Sequence, residues 1–364
     1  MIMGIEKRST RGLSLVELMI AMAIGAVLSI GVIGMFTANS ETYQTLQGQT
    51  RLQESAIFAL ETMVRDVERA GYRGCASRNT TPFHTMATAS GIPYESDLRI
   101  GLQVHDSAGD GTWIPSAAAM DNSLTDNSFF HTDFLTLRFI DDDEAYLTSA
   151  MASAVANPVV RIVDQGVEDM EAGDLVAIHD CEKSTVFKVT GTAAVGGGTE
   201  IQHAVGADAS DNATLALAQT GNFELGAAIS GIITRTYFVA PGAGENNQGD
   251  TPLSLWRKQN SSSSIELVEG VENLQILLGV DANDDGVPEQ YLSAGAGVDM
   301  EQVVTMEIQL TVNSVDSVGG TLTPSWGCLD EGIDQRAAQT CFSGSAVDGL
   351  LRRSFTRTVQ LRNQ

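Results

Sequence analysis

The stretch STRGLSLVELMIAMAIGAVLSIGVIGMF, residues 9–36, contains a long apolar run that carries only one charged side chain. The run extends from Leu13 to Phe36, and as a helix it would cover roughly 35 Å at about 1.5 Å per residue. That length exceeds the hydrocarbon core of a bilayer, which is about 30 Å thick. The run therefore predicts a membrane-spanning helix over residues 13–36.

The residues before the apolar run predict its orientation. Lys7, Arg8 and Arg11 precede it, and Glu6 is the one acid among the first twelve residues. The positive-inside rule then leaves the N-terminus in the cytoplasm and exports the rest of the chain. A cleaved secretory signal fits less well, because its apolar region usually has about 7 to 15 residues. A permanent membrane anchor is the stronger of the ordinary alternatives.

The one acid in the run, Glu17, needs a reason to be there. A charged group inside a spanning segment costs on the order of 3 kcal/mol, less near the interface, so it is a functional candidate. If the chain were cut between Gly12 and Leu13, the new ammonium group of Leu13 would lie one helical turn from Glu17. The carboxylate could pair with that amine or with the amine of a neighbouring subunit. Either pair would give the charge a partner and the assembly a register.

The segment RGLSLVELM resembles the processing site of type IV prepilins. A short basic leader, residues 1–12, ends in Gly12, an apolar Leu13 follows, and Glu17 is the fifth residue after the glycine. The resemblance implies cleavage after Gly12 by a prepilin peptidase and N-methylation of Leu13. Methylation keeps the positive charge of the amine, so the proposed pair with Glu17 survives it.

Three further segments resemble minor pilins of the PilW type: RAGYRGC (69–75), GVENLQILLGVDANDDGVPEQYL (270–292) and FTRTVQLRN (355–363). The resemblance implies a structural subunit that helps prime type IV pilus assembly and lies near the pilus tip. It also implies other minor and major pilins as partners, with a tip adhesin in addition. The protein would lie in the inner membrane, with a periplasmic head, before it enters the pilus.

Two alternatives remain open at this stage. A pseudopilin of type II secretion, resembling the GspJ group, would carry the same leader. A membrane-tethered periplasmic enzyme or binding domain would instead keep the Gly12–Leu13 bond uncut and would not need Glu17. The sequence contains no H-E-x-x-H and no G-x-S-x-G motif, so it predicts no enzyme. Its five histidines are expected to be structural: His84, His105, His131, His179 and His203.

The composition argues against nucleic acid as a partner. The chain has 21 Lys and Arg against 46 Asp and Glu, a net charge of -25, so phosphate backbones would be repelled. No separate cofactor is required by any motif.

The apolar run is predicted to continue as an amphipathic helix over residues 37–70. Leu60, Met63, Val64 and Val67 follow the i, i+3, i+4, i+7 spacing of one buried face. Gly71 is the expected C-cap. A break near Asn39 or Gly48 would give two helices instead.

The rest of the chain, residues 71–364, is predicted to be a β-rich head, so the fold class is α+β. VVTMEIQLTV (303–312) alternates strictly, which favours a half-buried antiparallel strand with Val304, Met306, Ile308, Leu310 and Val312 on the core face. DFLTLRF, GDLVAIHD, STVFKVTG, IITRTYFV, LSLWRK and SFTRTVQLR are further candidate strands. The glycine-rich TGTAAVGGGTE (190–200) is expected to be a loop, and DDDE (141–144) a solvated turn.

Four cysteines fit two disulfides in an exported head. Cys328 and Cys341 are close in sequence and bracket a loop that contains Gly332, so they form the favoured pair. Cys75 with Cys181 then follows by elimination, although four cysteines allow three connectivities.

The segment DANDDGVPE (281–289) has the first half of a calcium-loop pattern. It departs from the EF-hand because the twelfth position is Leu292, so further oxygen ligands would come from carbonyls or water. An Asx-rich hairpin turn explains the same residues. The sequence thus predicts an optional calcium ion with four candidate ligands: Asp281, Asn283, Asp285 and Glu289.

Overall fold

The structure is a computed structural model, and most of the chain is described in it. The described residues are 14–75, 83–86, 94, 97–108, 111–117, 120–125, 128, 131–162, 170–208, 211–219, 221–295, 297–318 and 349–362. The proposed cleavage site at Gly12 and Leu13 and the predicted pair Cys328 and Cys341 therefore lie outside the described residues.

One helix, α1 (Leu15–Arg69), dominates the N-terminal part of the chain. Its 55 residues form an unbroken helix roughly 80 Å long, so a break near Asn39 or Gly48 is wrong. The helix ends one residue earlier than the sequence predicts. Gly71 follows in the left-handed region at φ 75°, and its N–H donates to the carbonyl of Arg138 at 2.9 Å. This C-terminal glycine turns the chain directly into the sheet.

Sixteen strands follow α1 in the described part of the chain. They are β1 Phe83–Thr85, β2 Leu102–Ser107, β3 Trp113–Ile114, β4 Phe134–Leu147, β5 Val159–Ile162, β6 Leu175–His179, β7 Ser184–Lys188, β8 Gly191–Val195, β9 Gly198–Gln202, β10 Ala228–Pro241, β11 Leu253–Gln259, β12 Ile265–Glu269, β13 Val271–Val280, β14 Gln290–Ser293, β15 Val303–Asn313 and β16 Arg352–Gln360. A one-turn helix, α2 (Asn122–Thr125), and a 3₁₀ helix, Met300–Gln302, lie between them.

The strands form two sheets. The larger sheet has the order β1-β7-β6-β10-β4-β5-β9-β8, while β11 and β12 extend from β10 and β2 and β3 extend from β4. The smaller sheet has the order β14-β13-β15-β16. Every pairing between named strands is antiparallel except that of β1 with β7. A long helix with a largely antiparallel head confirms the predicted α+β class.

The second half of α1 packs against both sheets, touching β4, β12, β15 and β16. Leu60, Met63 and Val67 are buried in a core shared with β4, β10, β13 and β15, and Val64 packs at its border. The predicted apolar face of the helix is therefore confirmed. Where α1 meets β2, Gly101 lies so close to Gly71 that a Cβ on Gly101 would come within 2.4 Å of the Gly71 Cα.

Every predicted strand segment contains a strand, but the detail of β15 differs. Met306, Ile308, Leu310 and Val312 are buried as expected, whereas Val303 is buried in place of Val304. A register shift pairs Gly279 with Thr305 and Val280 with Val303, so Val304 is an extra residue. A β-bulge of this kind reverses the alternation of faces at one end of a strand.

Two segments expected to be irregular are strands instead. TGTAAVGGGTE forms the hairpin of β8 and β9, in which Val195 pairs with Gly198 and Gly197 has φ 111°. Glycine allows the positive φ that tight hairpin turns require. The acidic DDDE segment lies inside β4, which continues through it because β10 pairs with Glu144 through Ser230.

Candidate functional site

The first half of α1 presents an apolar surface that the head does not cover. Its large apolar side chains from Leu15 to Phe36 are 53% to 78% exposed. An 18-residue window of α1 reaches a mean hydropathy of 2.4 with none of its residues buried. Since this much apolar surface is unfavourable in water, the segment fits membrane anchoring and packing among other subunits.

Glu17 lies in the first turn of this apolar half. Its Oε2 accepts a hydrogen bond of 3.4 Å from the backbone N–H of Ser14, the residue that precedes the helix. A carboxylate in a first turn also interacts favourably with the helix dipole. Leu13 lies outside the described residues, so its pairing with Glu17 stays a prediction.

A buried carboxylate fixes the second half of α1 on the larger sheet. Asp66 is 4% exposed and accepts hydrogen bonds from the Tyr237 hydroxyl and from Arg235, both on β10. Arg235 also donates from Nε to Oε1 of Gln259 at 3.0 Å. Burial, and then the nearby Asp66 charge, raise the pKa of Tyr237, so the hydroxyl keeps its proton and donates. Sequence reasoning missed this cluster.

Three further contacts hold the end of α1. Arg69 lies over the Phe139 ring, 4.5 Å from its centroid, and its Nη2 is 2.8 Å from Oδ2 of Asp142. Cys75, just beyond the helix, forms a disulfide with Cys181 between β6 and β7. The bond confirms the pair predicted by elimination. Together these contacts fix the second half of α1 on the head.

The buried histidines have structural surroundings. His105 is within 2.7 Å of the Pro115 carbonyl and 2.9 Å of the Tyr94 hydroxyl. His203 donates to the Leu215 carbonyl at 3.0 Å. Burial lowers the pKa of both imidazoles.

The geometry around His179 most resembles a catalytic arrangement. Its Nε2 is 3.2 Å from Ser230 Oγ and 3.8 Å from Glu144 Oε1. A catalytic triad places serine and carboxylate on opposite ring nitrogens, whereas here both lie at Nε2. Ser230 is also fully buried, so no substrate could reach it.

The acidic loop between β13 and β14 is organised around Asp281, which is 5% exposed. Its Oδ1 accepts from the N–H of Asp284 at 2.7 Å and its Oδ2 from that of Gly286 at 2.6 Å. Burial by itself raises the pKa of Asp281, but the backbone N–H groups of four residues, 283–286, donate to the carboxylate and hold its pKa below the ordinary value. The loop therefore has the Asx-rich turn that the sequence suggested as one of two interpretations.

The same loop brings three predicted ligands together. Ligand oxygens of Asp281, Asp285 and Glu289 all lie within 4.8 Å of one another. Asn283 directs its side-chain oxygen to the N–H of Asp285 at 2.9 Å. Carboxylate oxygens at this spacing suit a hard cation such as calcium. A turn and a cation site are compatible here, and calcium binding stays a prediction.

Comparison with protein families finds two matches in this chain. Residues 7–33 match the prokaryotic N-terminal methylation motif, and residues 236–363 match type IV pilus-assembly protein W, PilW. Together these two matches support a type IV pilus minor pilin of the PilW type. The first match contains Glu17, and the second contains Tyr237, the acidic loop and the whole smaller sheet of this pilin. Comparisons with curated proteins and with solved structures found no match.

Proposed function

We propose that this pilin is a low-abundance subunit that primes type IV pilus assembly and lies near the pilus tip. The PilW match supports a role in assembly, and the methylation motif supports processing as a pilin. The observation that carries the proposal is the division of α1: its first half is apolar and exposed, while its second half docks on the head. That arrangement leaves the first half available to other subunits and to the membrane.

The proposed sequence of events begins in the inner membrane, with the N-terminus in the cytoplasm and the head in the periplasm. Prepilin peptidase cuts between Gly12 and Leu13, and Leu13 is N-methylated. The new amine pairs with Glu17 of the same or a neighbouring subunit and sets the register of assembly. The partners are then other minor and major pilins, with a tip adhesin in addition. The pilin acts as a structural subunit, and no catalytic step is proposed.

N-terminal mass spectrometry of protein recovered from sheared pili tests this proposal. The expected first residue is N-methylated Leu13. Loss of residues 1–12 removes three positive charges and one negative charge, so the side-chain net changes from -25 to -27. An intact leader on protein from pili would contradict the proposal.

A pseudopilin of type II secretion is the second candidate, because the methylation motif does not separate the two systems. A deletion strain does separate them. Loss of twitching with normal protein secretion supports the pilus, and the reverse result assigns the chain to secretion.

A tethered enzyme is less well supported. A cavity of about 480 Å³ beside β5 and β9 has one titratable group, Glu171, among its described lining residues.

A further inference from the structure

Within the described part of the chain, β16 is the longest outer strand of either sheet. It pairs with β15 through nine residues without a register shift, and no described strand pairs with its other side. The other outer strands β1, β3, β8, β12 and β14 have two to five residues each. Proteins usually protect a sheet edge by keeping it short, bulged, covered or charged. β16 is neither short nor bulged, and Thr356, Arg357 and Thr358 are exposed.

The hydrogen bonds at both ends of β16 show which backbone groups point outward. Leu361 donates to the Val304 carbonyl at 2.9 Å, and Ser314 donates to the Leu351 carbonyl at 2.9 Å. Hydrogen-bonded and non-hydrogen-bonded residue pairs alternate along an antiparallel ladder. The backbone N–H and C=O groups of the odd-numbered residues of β16 therefore bond to β15. The N–H and C=O groups of Ser354, Thr356 and Thr358 face away from the sheet. Among the described residues they have no backbone partner.

The side chains of β16 give this edge a charge opposite to that of the protein. From Arg352 to Arg362 the chain has four arginines and no acid, although its net charge is -25. Arg352 pairs with Glu272 at 2.8 Å, and Arg362 is 3.9 Å from Glu68. Arg353 and Arg357 are exposed and have no carboxylate within 4.0 Å among the described residues. These two arginines are the unneutralised charges of the edge.

The spacing of these side chains defines a pattern that a new strand could match. Arg353, Phe355 and Arg357 lie on one face of β16, opposite Val312, Leu310 and Ile308 of β15. Successive members are two residues apart, about 6.6 Å along the strand. A neighbouring strand with an acid, an apolar residue and a second acid at alternate positions would oppose all three.

We propose that β16 is a docking edge for an extended acidic segment of another protein, which adds a fifth strand to the smaller sheet. The outward backbone groups supply the ladder hydrogen bonds, and Arg353 and Arg357 select the segment by charge. A second copy of β16 fits less well, because pairing would bring the arginines of both strands onto one face. The proposal holds whether the chain acts in a pilus or in a secretion system.

Titration of a labelled peptide into the full chain, extracted in detergent, tests the proposal by fluorescence anisotropy. The probe is a capped seven-residue peptide with glutamate at its second and sixth positions, valine at its fourth and threonine elsewhere. We expect saturable binding that a lysine-for-glutamate peptide does not reproduce. The double variant Arg353→Glu/Arg357→Glu should weaken binding of the glutamate peptide at least about fivefold and favour the lysine peptide.

The variant Thr356→Pro tests the backbone. Because the Thr356 N–H points outward, proline removes an edge donor without removing a bond to β15. Thr356→Val is the matched control, since it keeps the N–H. Binding should be lost with proline and kept with valine, and a glutamate peptide N-methylated at its backbone should fail on the wild-type chain.

Three results would overturn the proposal. One is an equal affinity for the glutamate and lysine peptides, and another is unchanged binding by Thr356→Pro. The third is absence of peptide binding together with self-association that Thr356→Pro abolishes in sedimentation. That last result would make a second copy of the chain the occupant of the edge.

Discussion

The hydroxyl of Tyr237 donates a hydrogen bond to the carboxylate of Asp66, which joins β10 to α1 across 171 residues of sequence. Arg235, two residues earlier on the same face of β10, neutralises the same carboxylate. A buried charge is tolerated only with such partners, so the helix is stable in the axial and rotational position that satisfies Asp66. This contact couples the orientation of the exposed apolar half of α1 to the head.

Removing either partner should destabilise the head by different amounts. Tyr237→Phe removes one hydrogen bond to a charged group and should cost about 1.5 to 3 kcal/mol. Asp66→Ala leaves the largely buried Arg235 without its carboxylate partner and should cost about 3 to 5 kcal/mol. Thermal unfolding of the full chain in detergent measures both. Glu61→Ala, on the exposed side of the same helix, is the control, and an equal effect of Asp66→Ala and Glu61→Ala would contradict this account.

Mild acid should destabilise the head through its buried histidines. Burial lowers the pKa values of His105, His179 and His203, so below about pH 6.5 the unfolded chain binds protons that the folded chain does not. Their contribution is complete above that pH and is lost as pH falls through the folded pKa values. His203→Gln keeps a donor for the Leu215 carbonyl and should flatten the fall in melting temperature between pH 7 and pH 5. A wild-type slope in this variant would exclude His203 as a cause.

Glu17→Val should leave membrane insertion intact and impair incorporation into pili. Valine makes the spanning segment more apolar, but the amine of Leu13 loses its expected partner. Membrane fractionation measures insertion, and immunoblots of sheared pili measure incorporation. Glu41→Val is the matched control, because Glu41 is an exposed acid of the same helix beyond the apolar run. Normal incorporation with valine at 17 would refute the pairing.

Loss of the Cys75–Cys181 bond should strongly destabilise the head. The bond closes a loop with a sequence separation of 106, and loops of that length correspond to about 4 to 5 kcal/mol in the chain-entropy model. Cys75→Ser should therefore lower the melting temperature by many degrees. A non-reducing peptide map tests the bond directly and tests the predicted Cys328–Cys341 bond as well. Free thiols in exported protein would contradict both.

Periodicity was sufficient to locate α1 and seven of the sixteen described strands (β4, β6, β7, β10, β11, β15 and β16), but not the other nine or the local irregularities. The face of Val304 depended on a bulge, and a bulge arises from pairing with Gly279 and Val280, which lie more than twenty residues away. The hairpin of β8 and β9 consists largely of small residues, so no alternation marked it. The acids at 141–144 lie in a strand because β10 pairs with Ile140 and Glu144 on either side of a register shift, and β10 is distant in sequence.

The functional residues also differ in whether the sequence alone could identify them. Glu17 and the acidic loop stand in short motifs, so the spacing of residues along the chain was sufficient to identify them. Asp66 stood in an ordinary helical pattern, and its partners Arg235 and Tyr237 follow it by 169 and 171 residues. The basic edge of β16 depends on the position of β16 as an outer strand, and the order of strands does not follow from the sequence pattern.

The acidic loop should bind calcium, and binding should raise the melting temperature of the full chain because the ion binds the native state. Asp281 is a poor residue to mutate, since its carboxylate holds the backbone of the turn. The double variant Asp285→Asn/Glu289→Gln is better, because amide oxygens can still accept from Val287 at 2.9 Å and Ala282 at 2.8 Å. It should lose the calcium response, and after chelation it should melt higher than wild type because repulsion is relieved. No shift in wild type at millimolar calcium would leave the turn without an ion, and an equal shift in the variant would place the ion elsewhere.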